Sequence, residues 1–352
     1  MSNILGNQLL RNRLSSMVDR DHLHHCLLFE GPSGIGKYLT AKWLAKRLFC
    51  ERANAISNDS TFEHLDSTLP CLTCWHCNAV EIEDHPDLLR IGLDTTKKKK
   101  QISVQQARDL IGQVAIYPRL AKQRVVIIDQ AQHMTETTSN ALLKTFEEPP
   151  TETIFILIVP SSQKMLTTIR SRAQRIRFAP VSDDEIKDYL GSRGEPVRAD
   201  VIAFAQGCPG KVFQLLEGEY EDWKLAVDLV FSWIRMPLID MYEDCKEKLA
   251  SFSSIQSHEK LDFQNRILDC IEIVLRDILL LKSNGDDEQV LLQEHLQTLE
   301  KWAPRLDYRT IADLGDIINQ AREDQIINVS PRMQLENLVV QFKQALRVGY
   351  IA

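Results

Sequence analysis

Gly31-Pro32-Ser33-Gly34-Ile35-Gly36-Lys37-Tyr38 decides how this chain is read. Its first seven residues fit G-x-x-x-x-G-K, in which backbone N–H groups cradle phosphates and the lysine reaches the β- and γ-phosphates. The eighth should be Ser or Thr, whose hydroxyl sits on Mg²⁺. Tyr38 carries a phenol too long and too bulky to take that place without moving the metal. Ahead of the loop, Cys26-Leu27-Leu28-Phe29 reads as a buried strand; after it, Leu39, Trp43, Leu44 and Leu48 recur at helical spacing. Strand, glycine turn and helix N-terminus make an anion site, because unpaired N–H groups and the helix dipole converge there. The expected nucleotide-binding residues are Gly31, Gly34, Gly36 and Lys37, with Tyr38 at the position that should face the metal.

Val125-Val126-Ile127-Ile128-Asp129 is a second apolar run, and it ends in an acid suited to directing Mg²⁺. A water-polarising Glu is expected next; Gln130 is a neutral amide that cannot act as a base. Leu88-Leu89-Arg90-Ile91 and Ile154–Val159 read as further strands. Val104, Ala107, Leu110, Ile111 and Val114 share one helix face. Ala141, Leu142, Leu143 and Phe146 share another, stopped by Pro149-Pro150. Strands alternating with helices predict an α/β fold, a parallel sheet with helices on both faces.

Cys71-Leu72-Thr73-Cys74-Trp75-His76-Cys77, with Cys50 at the end of the helix after the loop, has the spacing of a structural zinc site. Four thiolates close a tetrahedron and leave no position for water, so the expected metal is Zn²⁺ in a structural role. His76 or His64 could replace one sulfur, but Cys50, Cys71, Cys74 and Cys77 are the simpler set. Cys26, Cys208, Cys245 and Cys270 sit among apolar neighbours and read as small core residues. The lysine run 97–100 reads as a solvated loop.

The 352 residues suggest two or three domains, with 44% hydrophobic and 26% charged residues as in a globular protein. A net charge of −7 argues against autonomous nucleic-acid binding. No apolar run is long enough to span a bilayer, and the N-terminus shows no signal-peptide pattern, so the expected location is cytoplasmic, with no membrane partner.

Asn140-Ala-Leu-Leu-Lys-Thr-Phe-Glu-Glu-Pro-Pro150, followed by Thr168-Ile-Arg-Ser-Arg172, resembles the clamp-loader branch of the AAA+ ATPases. The four-cysteine insertion narrows the resemblance to the bacterial DNA polymerase III clamp-loader subunits, gamma/tau and delta prime. It covers residues 1 to about 215 well and the C-terminal third loosely.

The resemblance implies that Ser171 and Arg172 carry an arginine finger inserted into a neighbour's ATP site, although Ala173 replaces the family's cysteine. Lys211, in Gly207-Cys208-Pro209-Gly210-Lys211, falls near the sensor-2 arginine, and Val159-Pro160 replaces the polar sensor-1 position. Residues for the chain's own hydrolysis are altered, whereas the residue for a neighbour's hydrolysis remains. That pattern looks like the delta-prime type: a stator that donates a finger and hydrolyses little ATP. Intact Gly36 and Lys37 leave the binding of ATP and Mg²⁺ open.

The implied architecture is an AAA+ core over 1–179 with the zinc module at 50–77, a helical lid over 180–220 and an all-α collar over 221–352. Within it, Ser182 and Glu185 have capping-box spacing, and Leu261, Ile267, Leu268, Ile271, Val274, Leu275, Ile278 and Leu279 cover much of a long helix. A final helix follows Pro331. The implied partners are gamma/tau and delta, the sliding clamp, and primer–template DNA within the complex. The alternative readings are an ATP-hydrolysing gamma/tau-like motor and a zinc-bearing nucleic-acid binder. A stand-alone kinase lacks any acceptor-substrate constellation.

Overall fold

The protein is described by a computed structural model for residues 4–56, 70–93, 101–150, 152–251, 257–283, 285–324 and 331–346. His64 and the lysine run 97–100 lie outside these residues. Contacts divide the chain into two compact units, Met1–Phe213 and Gln214–Ala352.

The first unit is built on strands β1 (Cys26–Glu30), β2 (Leu88–Ile91), β3 (Arg124–Ile128), β4 (Thr153–Val159) and β5 (Gln174–Arg177). Their order is β2-β3-β4-β1-β5, and every pairing is parallel. The three central strands are continuous apolar runs because both their faces are covered. The helices are α1 (Gln8–Asp19), α2 (Lys37–Phe49), α3 (Glu51–Ile56), α4 (Trp75–Glu81), α5 (Val104–Val114), α6 (Glu136–Glu147), α7 (Thr167–Arg170), α8 (Asp183–Ser192), α9 (Ala199–Ala205) and α10 (Pro209–Gln214).

Cys26 and Leu28 of β1, with Phe155, Leu157 and Val159 of β4, pack on α5, α6 and α7. The alternate residues turn the other way by the period of two along a strand, toward the side where α2 meets β4. Local signals fix where the helices start. Ser103 and Gln106 form a full capping box on α5, and the Thr135 hydroxyl accepts the Thr138 N–H at the start of α6. Ser182 does the same for α8, accepting from Glu185 N.

β5 is the polar Gln174-Arg175-Ile176-Arg177, an edge strand that buries only Ile176 on one side. Asp129 lies one residue beyond β3, where its N–H still donates to Ile91 O at 2.9 Å.

The second unit is helical, with α11 (Tyr220–Arg235), α12 (Leu238–Ser251), α13 (Ser257–Lys282), α14 (Leu296–Trp302), α15 (Tyr308–Asp324) and α16 (Pro331–Leu346). α13 is packed by α11, α14, α15 and α16, so helices of its own unit account for its wide apolar surface. Among the described side chains of that surface, Leu279 is the exception at 41% exposed. The Asp277 carboxylate on α13 is fully buried and accepts the N–H groups of Leu291 and Leu292 at 3.0 and 2.9 Å. Among the described residues, no helix is long and apolar enough to cross a membrane.

A buried carboxylate fixes the loop ahead of β3. Asp87 accepts the N–H groups of Arg119, Leu120 and Ala121 at 2.6, 2.8 and 2.8 Å. Arg124 pairs with Asp87 at 3.8 Å and donates to Gln113 O and Ile116 O, both at 2.7 Å. Burial pushes the Asp87 pKa up, but the three amides outweigh it and hold the group below the ordinary aspartate value. Asp87 therefore contributes stability above the unfolded-state value, near pH 4. That contribution is lost as pH falls through the lower folded value. Asp87→Ala is expected to cost about 3 kcal/mol at neutral pH, read by urea unfolding, because it leaves a buried guanidinium and three amides without their acceptor. The difference from wild type should shrink in strong acid.

Candidate functional site

The C-terminal ends of β1, β3 and β4 lie along one edge of the sheet. Ser33, Gly34, Gly36, Lys37, Tyr38, Asp129, Gln130, Val159 and Pro160 line a cleft there, together with Gly210, of about 410 Å³. Five of the expected binding residues are thus brought together, and Gly31 flanks them in the loop. Gly34 and Gly36 adopt left-handed φ values of 81° and 96°, which an L side chain resists. Gly34 also meets the segment after α9. Gly210 N donates to Gly34 O at 2.8 Å, and a Cβ on Gly210 would stand 2.9 Å from Gly34 Cα. The glycine-rich pair thus lets two backbones touch, and it sets Lys211 beside the loop by its backbone.

The Lys37 ammonium turns back on its own loop, donating to Gly31 O at 2.5 Å and Pro32 O at 2.7 Å. Burial lowers its pKa to about 8, against the pull of Cys208 and Asp129. Gln130 follows Asp129 in a left-handed conformation at φ 52° and opens a short 3₁₀ turn.

Tyr38 is where the family pattern and the geometry part. Its ring lies under the Arg90 guanidinium, 4.6 Å from Cζ to the centroid. Burial, then its hydrogen bond to Glu83, pushes the phenol pKa up, so it stays protonated. Arg90 in turn reaches Glu83 at 3.0 Å and Asp129 at 3.3 Å. A Mg²⁺ site at this position needs a small hydroxyl and a free carboxylate. The Tyr38 oxygen stands at the far end of a ring, against Glu83, and Asp129 is ion-paired with Arg90, so these residues do not fit the metal.

Arg172 stands apart from the cleft. It follows α7, where Nε donates to Glu147 Oε1 at 2.5 Å and a terminal nitrogen donates to Thr168 O at 2.9 Å. The Ser171 hydroxyl accepts from the same guanidinium at 3.2 Å and donates to Thr168 O at 3.0 Å. The arginine is 36% exposed, so its direction is set while its surface stays accessible.

At the far end of α2 the four cysteines converge. The sulfurs of Cys50, Cys71, Cys74 and Cys77 all lie within 4.8 Å of one another. Cys50 is the C-cap of α2, and Cys77 lies in the first turn of α4; both are buried. Cys71 N donates to the Cys50 sulfur and Cys74 N to the Cys71 sulfur, each at 3.3 Å. A hydrogen bond from the Cys77 thiol, with the Cys71 and Ala53 amides, holds Cys50 below the ordinary thiol value against burial. Four cysteine sulfurs gathered within reach of one ion are a donor set that fits a thiophilic cation, and these four residues would hold it. His76 is not in the group: its Nδ1 lies 2.8 Å from His85 Nε2, and its Nε2 lies 3.5 Å from Glu51. Cys26, Cys208, Cys245 and Cys270 are buried singly, as core residues.

Arg90, Glu83 and Glu147 were missed by sequence reasoning. The one usable signal was a charged residue inside the otherwise apolar Leu88–Ile91; the partners of Arg90 depend on strand register. Glu147 sits in the helix-end motif but shows its role only through the fold.

Comparison with known proteins agrees with the motifs. The family model described as DNA polymerase III, delta subunit, matches residues 6–182. DNA polymerase III subunit delta' of Bacillus subtilis is 26% identical over 338 residues, covering 94% of both chains. Subunit delta' of Pseudomonas aeruginosa is 35% identical over 237 residues, covering 62% of this chain and 67% of that protein. Subunit gamma of Buchnera aphidicola is 25% identical over 358 residues, covering 96% of this chain and 93% of that one. With its phosphate loop, parallel sheet and arginine after α7, the chain belongs to the delta' family of DNA polymerase III clamp-loader subunits, to which gamma and tau are related.

Proposed function

We propose that this subunit serves the clamp loader as a stator: it donates Arg172 to the ATP site of a neighbouring gamma/tau-type subunit and hydrolyses little or no ATP itself. One contrast carries the reading. The positions for in-cis chemistry hold Tyr38, Gln130 and Val159, while Arg172 is accessible and held in direction by Glu147 and Thr168. A guanidinium supplied in trans neutralises charge on the transferring γ-phosphoryl group, an effect of about 10³-fold or more in rate. Ser171, hydrogen-bonded to both Arg172 and Thr168 O, steadies the turn that presents it.

In this reading residues 1–179 form the AAA+ core, 180–220 the lid and 221–352 the collar through which subunits assemble. Lys211 belongs to the lid and Gly31, Gly34, Gly36 and Lys37 to a loop kept for its shape. The complex would open a sliding clamp and place it on primer–template DNA in the cytoplasm, with the delta subunit as a further partner. Cys50, Cys71, Cys74 and Cys77 hold Zn²⁺, which ties the end of α2 to α4 and takes no part in chemistry.

The reading is tested in the reconstituted clamp loader by clamp- and DNA-stimulated ATPase. Arg172→Ala in this subunit is expected to lower turnover at the adjoining site about 10³-fold, while Lys37→Ala leaves turnover within about twofold. The opposite ranking would mean that this chain's own site turns over and that it is a motor. The metal assignment has its own check. Purified protein should release one zinc on thiol titration, and Cys74→Ser with Cys77→Ser should abolish that release. Removing zinc should lower stability by about 3 kcal/mol at free zinc near a hundred times the dissociation constant.

A further inference from the structure

The disagreement between the cleft and the metal its family implies has a specific cause. Arg90 stands opposite Ile127 in the β2–β3 register, and Asp129 lies two residues further along. A period of two puts Arg90 and Asp129 on the same side of the sheet as diagonal neighbours. Tyr38, the first residue after the loop lysine, supplies the floor on which the guanidinium stacks. Glu83 fixes the guanidinium from another side at 3.0 Å, and Lys42 faces Glu83 at 3.7 Å. The sequence of charges is therefore Lys42, Glu83, Arg90, Asp129, alternating in sign, with Lys37 also acting on Asp129.

We propose that Arg90 takes the place of the divalent cation beside Asp129, so that the cleft of this chain is a metal-free site for any phosphoanion it holds. A cation bound to Asp129 would sit beside the guanidinium, where like charges repel. It would also lack the small hydroxyl ligand, because the Tyr38 oxygen stands at the far end of a ring, against Glu83. Mg²⁺ needs near-octahedral oxygen ligands and gives up water reluctantly, so one shared carboxylate does not hold it. The positive charge that a nucleotide's phosphates require is instead built into the chain as Lys37 and Arg90. This concerns the chain's own cleft and does not depend on the role given to Arg172.

Mn²⁺ titration of the full chain alone, followed by water-proton relaxation with and without ADP, tests the idea. Wild-type protein should show no Mn²⁺ binding that Asp129→Asn removes, in either condition. Tyr38→Ser with Arg90→Ala should gain a Mn²⁺ site about tenfold tighter or more than any in wild type, and adding Asp129→Asn should abolish it. Arg90→Ala alone removes only a half-exposed side chain; it should gain about threefold and decides the matter if the double variant does not fold. Mn²⁺ binding by wild type that Asp129→Asn removes would overturn the proposal. So would the absence of any gain in both the double variant and Arg90→Ala.

Discussion

The parallel pairing of β1 between β4 and β5 is the constraint on which the first unit depends. Because the strands run the same way, the ends of β1, β3 and β4 open on one edge. The phosphate loop, Asp129 and Val159 then meet without any side chain reaching far. A slip of one residue in any of these strands would exchange its two faces and scatter the group. The buried apolar runs make such slips costly, since each strand is enclosed on both sides.

On this frame the chain satisfies its charges internally. Lys37 bonds to the carbonyls of its own loop, Asp129 to Arg90, and Arg172 to Glu147. Each arrangement has a physical consequence. The lysine pays for burial with a depressed pKa, the aspartate is neutralised by a fixed cation, and the arginine is pre-oriented. A site that recruits metal needs uncompensated carboxylates, whereas one that serves as a fixed part needs none. In the cleft of this subunit, Asp129 is already compensated by Arg90.

Much of this could be read from the sequence. The glycine spacing located the loop, four apolar runs located four strands, and cysteine spacing located a cluster that the fold closes with Cys50. What stayed hidden was whatever depends on pairing. β5 is polar on one side because an edge strand faces solvent there, so it carries no apolar run. Arg90 looks like an ordinary strand charge until the register sets it beside Asp129. Gly210 acquires meaning only where its backbone meets Gly34. The wide apolar surface of α13 suggested burial on more than one side, and helices of its own unit supply it. Asp87, buried beneath three amides, has no sequence signature at all.

α2 joins two sites of opposite character. Its first turn offers amide hydrogens, and its last carbonyls end at Cys50, so the same aligned peptide dipoles favour an anion at one end and a cation at the other. Thiolates gathered at the negative end of a helix repel its carbonyls unless a cation lies between them. The 13 residues of α2 span about 20 Å, and ten of them are buried. Salt screens little through such an interior, so the cysteine cluster and the phosphate loop stand at the two ends of one rigid, poorly screened dipole.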